Sequence, residues 1–114
     1  MRDQTTRKYT NKLELNYDRR NLLEKMQDLN FGQILNIQIC DGEPRFTPMT
    51  QIERSIRFGR DNHFRPEISL NDFILKDCVV ELFETLDQMG NGLILKLEIK
   101  GGLPFGMVVE EQFL

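Results

Sequence analysis

The stretch FGQILNIQICDGEP, Phe31 to Pro44, returns sixty residues later as NGLILKLEIKGGLP, Asn91 to Pro104. Sliding residues 22–44 onto 82–104 needs no gap and gives eight identities in 23 positions. These are Leu22 with Leu82, Glu24 with Glu84, Gly32 with Gly92, Ile34 with Ile94, Leu35 with Leu95, Ile39 with Ile99, Gly42 with Gly102 and Pro44 with Pro104. The remaining apolar positions match in kind: Leu23 with Phe83, Met26 with Leu86, Leu29 with Met89, Ile37 with Leu97. A period of this length marks one supersecondary unit used twice, and duplication of a folding unit is the reading it supports.

Working outward, each copy opens on a helical pattern. Leu22, Leu23, Met26 and Leu29 share one helical face, with Asp18 as the expected N-cap. In the second copy Leu75, Cys78, Val79, Leu82, Leu86 and Met89 make a longer stripe, capped by Ser69 with Asp72 or by Asn71, and Gly90 is the expected stop. The period then changes to two. Leu35, Ile37 and Ile39 alternate with Asn36, Gln38 and Cys40, and Leu95, Leu97 and Ile99 alternate with Lys96, Glu98 and Lys100. Such alternation predicts half-buried antiparallel strands. Gly32 and Gly92 stand at the helix-to-strand joints. Asp41-Gly42 and Gly101-Gly102 are hairpin-turn dipeptides.

The two return segments differ. LPFGMVVEE, residues 103–111, reads as a strand with Phe105, Met107 and Val109 on one face. The preferred register pairs Ile99 with Phe105 through a bulged three-residue loop, which turns that face inward. Pairing Ile99 with Pro104 would expose it as a subunit interface. The first return is delayed by EPRFTPMT, and QIERSIRF, residues 51–58, is the predicted strand, with Ile52, Ile56 and Phe58 on its inner face. A helix there is the alternative, because Thr50 and Glu53 form a capping-box pair. KLELNYD, residues 12–18, alternates and predicts an extra edge strand.

The expected architecture is α+β: two helix–strand–strand units, a mainly antiparallel sheet of four to five strands, and two helices on one face. A chain of 114 residues at 39% hydrophobic content fits a single domain over 1–114. Residues 1–9 are expected to be flexible, with unit one at about 18–58, a linker at 59–68 and unit two at about 69–111.

The first copy resembles a family of small uncharacterised bacterial proteins built from one helix, Phe/Tyr-Gly, an alternating strand, Asp-Gly and a return strand near Gln-Ile-Glu. The matching residues are Phe31-Gly32, Ile37, Ile39, Asp41-Gly42 and QIER at 51–54. They fall within residues 22–58, about a third of the chain, and PRFTPMT lengthens the turn relative to the family. The resemblance implies a unit that must self-associate and carries over no activity.

Charge is unevenly distributed. Residues 1–65 carry 12 Lys and Arg against 9 Asp and Glu, whereas residues 66–114 carry 3 against 9. All nine arginines precede residue 66. That polarity suits a charged partner or head-to-tail self-association weakened by salt. The first residues, MRDQTTRKYTNK, contain no apolar leader segment and no run approaches a membrane span, so a cytoplasmic protein with no membrane association is expected.

Catalytic signatures are sparse. His63 is the one histidine, and no nucleophile elbow or phosphate-binding glycine loop accompanies it. Cys40 and Cys78 match neither a metal spacing nor a redox pair and read as small packed residues. Asp41 with Glu43, and Glu110 with Glu111, read as solvated charges at turn and strand tips. No catalytic residue, metal or cofactor is expected.

The concentrated feature is RFTPMTQIERSIRFGRDNHFR, which joins Arg45, Arg54, Arg57, Arg60 and Arg65 to His63 and Phe64. These seven are the candidate partner-binding residues. The preferred function is a non-catalytic protein-interaction module, an accessory, adaptor or regulatory subunit, with a protein partner or homo-oligomer. Nucleic acid bound through the Arg/Phe-rich segment 45–65 is the alternative, since guanidinium forks suit phosphate and aromatic rings suit bases. A small enzyme of unknown reaction is the third.

Overall fold

A computed structural model describes residues 9–60, 62 and 70–111. Its core is two helices on an antiparallel five-stranded sheet. Helix α1 spans Tyr17–Leu29 and strand β1 spans Gly32–Cys40. The short strands β2 and β3 follow at Glu43–Arg45 and Gln51–Arg54. Helix α2 spans Asp77–Met89, β4 spans Gly92–Lys100 and β5 spans Leu103–Glu111. The bounds of α1 and α2, and of β1 and β4, lie at the sixty-residue offset seen in the sequence.

β1 and β4 form the central ladder. Gly32 pairs with Ile99 and Ile39 pairs with Gly92, so the ladder runs the full length of both strands. β5 flanks β4. On the other side β1 is flanked by β2 at its C-terminal end and β3 at its N-terminal end. The helices bury Leu22, Leu23, Met26 and Leu29 from α1 and Val79, Leu82, Phe83 and Leu86 from α2 against the sheet. The strands meet them with Ile34, Ile37, Ile39, Ile94, Leu97 and Ile99.

The two halves are tied across their helix ends. Asn30 and Gly90 both cap their helices with positive φ. The amide of Gly42 donates to the carbonyl of Gly90 at 2.7 Å, and the amide of Gly102 donates to the carbonyl of Asn30 at 2.8 Å. Each hairpin turn therefore satisfies a carbonyl left open at the opposite helix's C-terminus. Asp41-Gly42 and Gly101-Gly102 all have positive φ, which is the type I′ geometry that matches strand twist.

Several expectations are corrected. Strand alternation changes phase near Asn36, whose φ is +61°, and at Leu95, where the register against β5 shifts. The core residues are thus Ile34 and Ile94, while Leu35 and Leu95 leave it. Asn16, not Asp18, caps α1 by accepting from the Arg19 amide at 3.1 Å. α2 begins at Asp77 with no side-chain cap, and the residues before it are held extended: Ile74 bridges Asn11, and the Leu75 N–H donates to the Thr10 carbonyl at 2.8 Å. Residues 12–14 are a 3₁₀ turn and Tyr17 opens α1, so the predicted extra strand is absent there. Asp72, proposed as part of a cap, instead accepts from the Leu13 amide and from Asn11, which holds its carboxyl below the usual range. Of the N-terminal residues expected to be flexible, 1–8 lie outside the described residues, and Tyr9 is buried.

The preferred pairing of Ile99 with Phe105 does not form, and Phe105 is exposed. Ile99 pairs with Pro104 through the two-residue turn, and then Glu98 pairs with Gly106, leaving Phe105 in a bulge. The bulge exposes Phe105 yet returns Met107 and Val109 toward the core. In the first half the return strand ends at Arg54, not residue 58. The Ser55 amide still donates to the Phe31 carbonyl at 2.8 Å, after which the chain leaves the sheet. Ile52, Ile56 and Phe58 are exposed, Phe58 almost fully, so neither the predicted inner face nor the alternative helix forms.

Candidate functional site

Four of the seven candidate residues fall among those described, and only Arg54 and Arg57 of these line a common cleft. Arg45 ends β2, with its Nε 3.6 Å from Asp18. Arg54 ends β3 and folds back onto α1. Its Nη1 donates to the carbonyls of Asp28 and Leu29, both at 3.0 Å, and its Nη2 lies 3.3 Å from the Asp28 carboxylate. A cation on the last carbonyls of a helix satisfies open acceptors and opposes the helix dipole, which is a structural duty. Arg57 lays its guanidinium 3.6 Å from the centre of the Phe31 ring. Arg60 is exposed and closes a turn with its amide on the Arg57 carbonyl. Asn62 fastens that turn by accepting from the Arg57 amide and donating to the Arg57 carbonyl. His63, Phe64 and Arg65 lie outside the described residues.

Arg54 and Arg57 do share one open cleft of about 630 Å³ with Phe31, Glu53, Glu98 and Lys100. Three cations and two carboxylates line it, and Gln33 donates to Glu53 within it. The mixture leaves little net positive charge for phosphate.

A second polar group was invisible in the sequence. Arg19, nearly buried in α1, places Nη1 2.8 Å from Glu43 of β2 and Nη2 2.8 Å from Asp87 of α2. Tyr9 donates to the other Asp87 oxygen, and its ring lies 4.9 Å from the guanidinium carbon. Glu43, read in the sequence as a solvated charge, therefore serves inside the fold, and Asn16 also donates to it. Both carboxylates are occupied by Arg19, so the group ties four segments together. Lys12 has a similar role: it is buried, donates to the Leu70 carbonyl at 2.7 Å and pairs with Glu24 at 2.9 Å.

The Tyr9 phenol is held protonated well above its ordinary range, first by burial and then by its bond to Asp87. A raised folded pKa means that its contribution is complete below the unfolded value, about 10, and is lost as pH climbs through the folded one. Ultraviolet titration will show one phenol resisting ionisation in alkali, and Tyr9→Phe will remove that late phase. Persistence of the phase in the variant would assign it to another group.

The third site is a sheet edge. β5 pairs with β4 on one side, and among the described residues no strand covers the other. Phe105 and Val108 are 64% and 52% exposed there. Beside it a groove of about 280 Å³ runs between β5 and α2, with Leu82, Leu97 and Met107 among its lining residues and Cys78 and Glu81 on the helix side. Backbone donors and acceptors along the strand and apolar side chains beside it are the two parts needed to receive an extended chain.

Cys40 and Cys78 are free thiols, each half-buried. Among the described residues no group of three or more His, Cys, Asp or Glu is arranged to hold a metal, and no helix is long and apolar enough to cross a membrane. No protein-family model, curated protein or solved structure matches the chain.

Proposed function

We propose that the chain is a non-catalytic protein-interaction module, and that its docking element is the open edge of β5 rather than the arginine-rich segment. The observation that carries this is the contrast between the sheet's two edges. On the β1 side the edge is split into strands of three and four residues, with Pro44 inside the first and Pro48 between them. Short strands and prolines are the usual protection against unwanted pairing. β5 runs nine residues with an exposed aromatic and an exposed valine; its Pro104 and the bulge at Phe105 are confined to its start, and Gly106 to Glu111 continue without proline or lysine. The arginines weigh the same way: Arg54 serves a helix end and Arg57 stacks on Phe31, so the segment offers few forks to a nucleic-acid backbone.

A photo-reactive phenylalanine analogue placed at position 105 or 108, in the native cell, tests this. The expected result is a discrete cross-linked product from either β5 position and none from position 17, an exposed site on α1. No product from β5, or equal products from all three positions, would overturn the reading.

A further inference from the structure

We infer that the occupant of the β5 edge is a second copy of this chain, paired antiparallel about a two-fold axis at Val108, so that two five-stranded sheets become one of ten strands. This rests on the proposal that β5 is a docking edge.

Geometry narrows the pairing. The bulge at Phe105 interrupts β5 near its start, but Gly106 to Glu111 pair with β4 with no extra residue on β5 itself. The interruption at Leu95 is on the β4 side. An uninterrupted strand segment is what a ladder with a new partner requires. In a two-fold antiparallel pair with both helical layers on the same side, one residue must meet its own copy. Val108 is the exposed, β-branched residue near the centre of that segment. Centring there sets Gly106 against Glu110 of the other copy and Met107 against Val109.

Charge selects the same arrangement. A parallel pair would set Glu110 and Glu111 beside their own copies, about 4.8 Å apart across the strands. The antiparallel pair separates the two Glu110 residues by about 13 Å along the strands, beyond a screening length of about 8 Å at physiological salt. Each Glu110 then lies over Gly106, which has no side chain to obstruct it. The β4 neighbour of Gly106 is Glu98, which stands between Lys96 and Lys100 and is paired with Lys96 at 3.5 Å. The row that receives the incoming carboxylate therefore holds two cations and one carboxylate, with Glu98 in line, Lys96 paired with it and Lys100 3.8 Å from the centre of the Phe105 ring, a net single positive charge.

Closure is the third argument. Joining β5 to the opposite edge of another copy would be head-to-tail and would propagate into a filament. That opposite edge is the broken one. β5 with β5 is self-complementary and stops at two.

The wild-type chain should sediment at twice its monomer mass at micromolar concentration, with little change between low and moderate salt, since backbone pairing and valine contact carry the association. Val108→Lys and Val108→Glu should each be monomeric, because like charges would meet at the axis. Mixed in equal amounts, the two variants should recover the dimer mass. Both substitutions sit at an exposed position, and unfolding midpoints near wild type will show that each variant is folded. A wild-type monomer at all concentrations, a dimer that survives Val108→Lys, or a mixture that stays monomeric would each overturn the second-copy inference. Cross-linking from position 108 to a different protein would overturn it while leaving the docking edge in place. Loss of cross-linking altogether would remove both.

Discussion

Replacing Asp87 with alanine should destabilise the protein by about 3 kcal/mol, the lower end expected when one partner of a buried ion pair is removed. Arg19 would keep its charge at a side-chain exposure of only 10%, with Glu43 as its remaining counter-ion. Tyr9 would lose the acceptor of its hydroxyl and leave a half-buried donor open. Gly42 adds a further reason, since its α-carbon is packed so closely that a methyl group there would come 2.8 Å from an Asp87 oxygen. Alanine at 87 thus opens a gap beside the turn that carries the Gly42–Gly90 bond. The discriminating measurement is a double-mutant cycle with Arg19→Met by urea unfolding. Arg19→Met with Asp87→Ala should be less harmful than the two single losses added together, because no buried guanidinium is then left short of a counter-ion and Glu43 keeps its bonds from Asn16. Strict additivity would mean that the tie carries no coupling energy.

Gly32→Ala should be comparably severe, about 3–5 kcal/mol, from backbone strain and overpacking together. Gly32 has φ of +149°, and a β-carbon there would come 2.1 Å from the Glu53 carbonyl oxygen and 3.1 Å from the Arg54 α-carbon. Both obstacles are backbone, so no side-chain rotation relieves the clash. Gly32 also pairs with Ile99 on its other side, which leaves β1 no room to retreat. Gly101→Ala is the control: its φ of +61° brings strain, yet its surroundings are open. Global stability and amide exchange in β3 should both be read, since the chain can shed the clash by releasing β3. A Gly32→Ala protein as stable as Gly101→Ala, with β3 still protected, would contradict the tight approach.

The sequence-level features that proved legible were those with short-range causes. The apolar stripe over residues 22–29, the strand alternation and the Asp41-Gly42 and Gly101-Gly102 dipeptides each follow from local periodicity or local φ preference. They located α1, β1, β4 and both hairpin turns. Features decided by distant partners were not legible. Ile52, Ile56 and Phe58 alternate as a buried strand would, but β3 lies at the sheet edge, where no second layer covers that face among the described residues. Asn36 and Leu95 shift the strand phase through backbone geometry that composition does not encode. Tyr9, Arg19, Glu43 and Asp87 come from four separated segments, and nothing in any one of them marks a shared polar group. The arginine-rich run was visible as composition, yet two of its described members are spent separately, Arg54 on the end of α1 and Arg57 on the face of Phe31. No local signal distinguishes an arginine that caps a helix from one that waits for phosphate.

The crossed bonds between turns and helix ends have a consequence for how the chain is made. The carbonyl of Asn30 waits for Gly102, and β1 waits for a partner that begins at Gly92. Until residue 102 has left the ribosome, the first half lacks the Gly102 bond to the Asn30 carbonyl and has a central strand paired on one side only. Long-range pairing of this kind must close a large loop before any contact rewards it. Nascent chains of this protein should therefore stay unfolded until residue 102 has emerged and then acquire both halves in one step.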